Sequence, residues 1–133
     1  LRAAATLPRR CLEIAIVVVS QVNACHYCVA HHKPMLVVEG MTPGGVDRLM
    51  DYQDHPELSE RDKLVVEYAI QVAREPRRVR DALFERLRAH FTEAQVVELT
   101  MRITLTGFFN AFSEALQIDE EVHAEDGAAR AAE

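Results

Sequence analysis

No run of apolar residues in this 133-residue chain could span a bilayer. The longest, Ile14 to Val19, falls far short of the ~18 residues required. Nor is there a basic excess: the formal net charge is −6, which argues against nucleic acid or an anionic membrane surface as the main partner. Arg77, Arg78 and Arg80 do cluster, but acidic residues flank them and the group reads as a solvated helix face. Three cysteines are too few, and odd in number, for a disulfide scaffold. That count fits a reducing cytoplasm with reactive or buried thiols, and no signal-peptide pattern contradicts it. There is no glycine- or proline-rich linker, no internal repeat, no glycine-rich phosphate loop and no serine-hydrolase elbow. No segment alternates with the period of two that a half-buried strand needs. Aromatic residues make up 6% and offer no obvious anchor for a subunit interface.

What is present reads as helix after helix. The chain is 49% apolar and 27% charged, the balance of one globular domain with a real core. Pro8 opens a segment that is apolar on almost every side through Val19, the pattern of a deeply buried helix. Asn23 reads as the N-cap of a second helix, which Pro34 should kink or shorten and Gly40 can close. Thr42 with Pro43, Ser59, and Thr92 with Gln95 mark later helix starts. Leu64, Val65, Tyr68, Ala69 and Val72 recur as a helical stripe. The expectation is an all-α, single-domain helical bundle of about six or seven helices over residues 1–118. An acidic, alanine-rich tail occupies 119–133.

The chemistry concentrates in "NACHYCVAHH", Asn23 to His32. On a helix, Cys25 and Cys28 lie roughly 60° apart, and His32 falls between them on the same stripe. His26 and His31 point elsewhere. With Asn23 as cap, both thiols would sit near the positive end of the helix dipole, which favours a thiolate, and a histidine beside them can take the proton. These are the parts of a two-cysteine redox cycle. Glu13 is the only carboxylate between Leu1 and Val38 and sits in the most apolar helix. On one straight helix it would be about 18 Å from Cys25, so only a turn near Asn23 that folds two helices together brings it to the thiols. Cys11 reads as a small buried residue, and Tyr27 as packing whose hydroxyl can reach the site. His55, His90 and His123 read as surface residues. A zinc site is the alternative for Cys25, Cys28 and His32, with Glu13 as fourth ligand, although no second CxxC or HxxxH completes it.

The pattern E-x11-C-x-Y-C-x3-H, here Glu13, Cys25, Tyr27, Cys28 and His32, resembles the alkyl hydroperoxidase D (AhpD)-like branch of the carboxymuconolactone decarboxylase family. The surrounding "LPRRCLEIAIVVVSQVNACHYCVAHH" is similar to that family's core helix pair. "LSERDKLVVEYAIQVAREP" and "FTEAQVVELTMRITLTGFFNAFSEAL", with Asn110, resemble its second half. The resemblance implies an all-helical fold assembling into homo-oligomers, trimers or hexamers, and a thiol-dependent peroxidase acting on organic hydroperoxides without a cofactor. It implies that Cys28 attacks the hydroperoxide, that Cys25 resolves the sulfenic acid as a disulfide, and that His32 and Glu13 relay protons through a water. A dithiol partner, lipoyl-bearing in the best-known members, would reduce the disulfide. One departure stands out: AhpD carries His at the position of Tyr27, and a tyrosine hydroxyl is a poor base at neutral pH. Two rivals remain, a lactone decarboxylase of the same family and a non-enzymatic Cys/His metal module.

Overall fold

The computed structural model describes residues 7–118. The tail expected over 119–133, with His123, and the first six positions lie outside them. Six α-helices follow one another: α1 Arg9–Val22, α2 His26–Val38, α3 Pro43–Asp47, α4 Glu60–Arg74, α5 Asp81–His90 and α6 Glu93–Ala115. Short 3₁₀ segments, Leu49–Asp54 and Pro76–Arg78, link α3 to α4 and α4 to α5. No strand occurs among the described residues, as the missing period-two pattern implied.

α1 is the centre of the bundle. Every residue from Glu13 to Ser20 is buried, and the helix packs against α2, α4 and α6. That explains why its sequence is apolar around the whole circumference. The α4 stripe Leu64, Val65, Tyr68, Ala69 and Val72 is buried as read, and Val96, Leu99 and Ile103 face inward from α6. Arg10 fastens the bundle from one side. Its Nε lies 3.1 Å from Asp62 Oδ2, and its guanidinium donates to the carbonyls of Glu39 and Glu57. One side chain thus joins α1 to the end of α2 and the start of α4.

The caps at Thr42, Ser59 and Thr92 form as the sequence implies, the last two as reciprocal capping boxes with Asp62 and Gln95. Each such cap contributes about 1 kcal/mol. Pro34 lies inside α2 without ending it, since the helix runs on to Val38. Gly40, at φ 99°, ends that helix with two reversed hydrogen bonds, Gly40 N–H to Val37 O and Met41 N–H to Leu36 O.

Two readings need correction. Asn23 does not cap α2; it is the C-cap of α1, and Cys25 is the N-cap residue of α2. The turn uses the same reversed pattern as Gly40, with Ala24 N–H bonded to Gln21 O and Cys25 N–H to Ser20 O. Ala24 holds the left-handed position at φ 52°, a conformation a sequence reader assigns to glycine or asparagine. His55 is not a surface residue either. It is buried, with Nε2 2.8 Å from the Gly45 carbonyl oxygen and Nδ1 accepting from the Glu57 N–H. Two backbone partners satisfy both ring nitrogens, which makes burial of a neutral imidazole tolerable. His90 is exposed, as read.

Candidate active site

The Asn23–Ala24 turn reverses the chain, so that α2 returns along α1. This reversal brings Glu13 to His32. Glu13 Oε2 lies 2.9 Å from His32 Nδ1, and its other oxygen is 3.9 Å from Arg9. Glu13 is 5% exposed. A carboxylate on Nδ1 fixes the ring's orientation and presents Nε2 for proton exchange.

Cys28 occupies the third helical position of α2, one turn before His32 on the same face. Cys25 stands just outside the helix, so the single-helix geometry expected for both thiols holds only for Cys28 and His32. The two sulfurs are nevertheless joined as a disulfide, with Cα atoms 5.3 Å apart. Their surroundings differ. Cys25 is fully buried, whereas Cys28 is 9% exposed and lines a cavity of about 380 Å³. Of the two, only Cys28 meets that cavity.

Ile16, Phe109, Phe112 and Ile118 supply apolar wall to this cavity. His32 lines it too, and Ser20 and Asn110 close its inner end. Asn110 donates to Ser20 Oγ and accepts from Asn23 Nδ2, both at 3.1 Å, which pins α6 to the turn that precedes Cys25. A second cavity of about 220 Å³ adjoins it, sharing Ile16, His32 and Arg102 and reaching Glu13. Tyr27 lines the larger cavity, but its hydroxyl meets His31 Nε2 at 2.9 Å with the rings edge to face.

Sequence reasoning passed over His31 and Arg102. The four-residue spacing of Tyr27 and His31 was a usable signal for the first; nothing in the sequence pointed to the second. Cys11 is buried away from the disulfide, and burial pushes its thiol pKa up. Among the described residues no group of three or more His, Cys, Asp or Glu is placed to hold a metal ion.

The sequence profile of the carboxymuconolactone decarboxylase family matches residues 1–52, the segment that holds Glu13, both site cysteines, Tyr27 and His32. The part of the chain that carries the site is thus similar to that family. The fold is AhpD-like. It superposes with a TM-score of 0.77 on a protein of unknown function from Agrobacterium tumefaciens named as a candidate antioxidant defence protein AhpD. That match is at 22% identity and covers 91% of this chain and 84% of that one. The uncharacterized protein YnjA of Escherichia coli is 34% identical over 103 residues, 75% of this chain and 55% of its own. The chain therefore spans little more than half of that relative. The debrominase Bmp8, solved in complex with 2,3,4-tribromopyrrole, shares the fold at a TM-score of 0.75 and 18% identity, over 96% of this chain and 67% of that one.

Proposed function

We propose that the protein is a thiol-dependent peroxidase that reduces organic hydroperoxides by cycling Cys25 and Cys28 between dithiol and disulfide. One observation carries the reading: a disulfide with one sulfur sealed and the other facing a cavity, one helical turn from a histidine held by a buried carboxylate. In the reduced protein His32 accepts the Cys28 thiol proton, directly or through a water, and Glu13 stabilises the imidazolium. The Cys28 thiolate attacks the distal oxygen of the hydroperoxide. The O–O bond breaks, Cys28 becomes a sulfenic acid, and the departing alkoxide takes a proton to leave as an alcohol. The Cys25 thiol then attacks the Cys28 sulfur and releases water, giving the disulfide. A dithiol reductant, a lipoyl-bearing protein among the candidates, returns the pair to the starting state.

The fold alone does not select the substrate, since Bmp8 shares it. The dithiol and its proton relay are what favour peroxide chemistry over the lyase reaction, which needs neither cysteine. We place the protein in the cytoplasm, where thiols are kept reduced; among the described residues no helix is long and apolar enough to cross a membrane. We further expect a homo-oligomer, a trimer or hexamer. The outer face of α6 exposes Val97, Met101, Phe108, Phe112 and Leu116, a stripe at steps of four and seven residues that a second copy would cover. Three exposed phenylalanines, Phe108, Phe109 and Phe112, supply the anchor that the low aromatic content did not promise.

The test is turnover of cumene hydroperoxide with dihydrolipoamide as reductant. Cys28→Ser should abolish it, and Cys25→Ser should leave a trapped sulfenic acid or mixed disulfide. Normal turnover by Cys28→Ser would refute the assignment. Turnover of a carboxymuconolactone by the double cysteine variant would establish the lyase instead.

A further inference from the structure

Arg102 stands on α6 and lines both cavities, between the Cys28 end and the Glu13 end. It is half-buried, yet its guanidinium has no ion pair and donates no side-chain hydrogen bond among the described residues. The other arginines near the site are engaged: Arg9 lies by Glu13 and Glu39, and Arg10 is paired with Asp62. Among the described residues no aspartate or glutamate lines the larger cavity. The permanent charge that the described residues give it is therefore the cation of Arg102, set against walls contributed by Ile16, Phe109, Phe112 and Ile118. A partly desolvated guanidinium without a protein partner has its five donors free for a ligand, and its planar fork matches a carboxylate.

We propose that Arg102 anchors the anionic head of the substrate, and that the preferred substrate is an apolar organic hydroperoxide bearing a carboxylate. The inference rests on the peroxidase reading and narrows its substrate class. The cavity volume, about 380 Å³, lies in the range that takes a small organic molecule. A single arginine, with no second permanent cation lining that cavity among the described residues, suits a monoanionic carboxylate better than a phosphate dianion. The rival role for Arg102 is to stabilise the Cys28 thiolate, which would serve every hydroperoxide alike.

Cumene hydroperoxide bearing a para-carboxylate, compared with the methyl ester of the same compound, separates these roles. The wild-type protein should show a KM about tenfold or more lower for the acid. Arg102→Met should erase that preference by raising the KM of the acid, and Arg102→Lys should restore part of it. Equal KM values for acid and ester in the wild type would overturn the proposal, as would an Arg102→Met variant that slows both substrates by the same factor. Among the described residues the Arg102 side chain makes no ion pair or hydrogen bond, and Thr106 Oγ1 bonds to its backbone carbonyl; urea unfolding of Arg102→Met checks that the fold is kept. If the protein turns over neither hydroperoxide, the peroxidase reading fails by itself. Calorimetric titration of the disulfide form with 4-isopropylbenzoate and with its methyl ester then decides the anchor: selective binding of the anion that is lost in Arg102→Met sustains it. Equal binding, or no binding of the anion, overturns it.

Discussion

Replacing Glu13 with glutamine removes one charge and almost nothing else. The glutamine carbonyl oxygen can still accept from His32 Nδ1–H at the observed 2.9 Å, so ring orientation and packing should persist. What changes is the field at the imidazole when it takes the Cys28 proton. Two unit charges about 4 Å apart attract by about 4 kcal/mol at an effective dielectric near 20. The His32 side chain is 31% exposed, and solvent screening reduces this to about 2 kcal/mol. If that stabilisation is expressed in the thiolate-forming step, Glu13→Gln slows oxidation of the dithiol by about 30-fold. The assay is the single-turnover loss of free thiols after mixing reduced protein with cumene hydroperoxide near neutral pH, with urea unfolding run beside it. Stability should change by less than about 1 kcal/mol. A Glu13→Gln rate within about threefold of wild type, while His32→Ala is crippled, would refute an electrostatic role for Glu13.

Other outcomes follow from the same geometry. Ala24→Gly removes the cost of a left-handed alanine at φ 52° and should raise stability by about 0.5 kcal/mol after allowing for the freer unfolded chain. Gly40→Ala, at φ 99°, should lower it by about 1–2 kcal/mol; urea midpoints check both. Asn110→Ala loses two hydrogen bonds beside the fully buried Ser20 and should cost about 2–3 kcal/mol. Burial holds the Cys11 thiol protonated above its ordinary pKa of 9.0, so the unfolded chain releases that proton first. The Cys11 contribution to stability is therefore full below 9.0 and is lost as pH rises past that value toward the raised folded-state pKa. Urea midpoints at about pH 8 and about pH 10 should fall less steeply for Cys11→Ala than for wild type.

Much of the architecture was written in local pattern. Continuous apolarity from Ile14 to Val19 announced the central helix because a helix packed on several sides has no polar face to show. Ser59 and Thr92 announced helix starts because their hydroxyls satisfy amide groups that nothing else can reach. The meeting of Glu13 with His32 was conditional on a turn near Asn23, and that turn exists. Its chemistry was hidden because the left-handed position is filled by Ala24, whose side chain gives no sign of it, while Asn23 suggested a cap one element too late. His55 was misread for a similar reason: its partners are backbone atoms of Gly45 and Glu57, which no residue pattern displays. Arg102 and the exposed phenylalanines of α6 were invisible in another way. Which apolar and charged residues of a long helix face a cavity depends on where α1 and α2 lie against it, a matter of tertiary packing.

The central claim is that Cys25 and Cys28 are a peroxide-driven redox pair. Its most direct test is the intact mass of the fully reduced protein before and after about one equivalent of cumene hydroperoxide, with peptide mapping of all the cysteines. The account predicts the loss of two hydrogens per chain within seconds to minutes, mapped to a Cys25–Cys28 disulfide, with Cys11 still free. An unchanged mass with both site thiols intact would contradict it, and would turn attention from peroxides to disulfide or halogenated substrates.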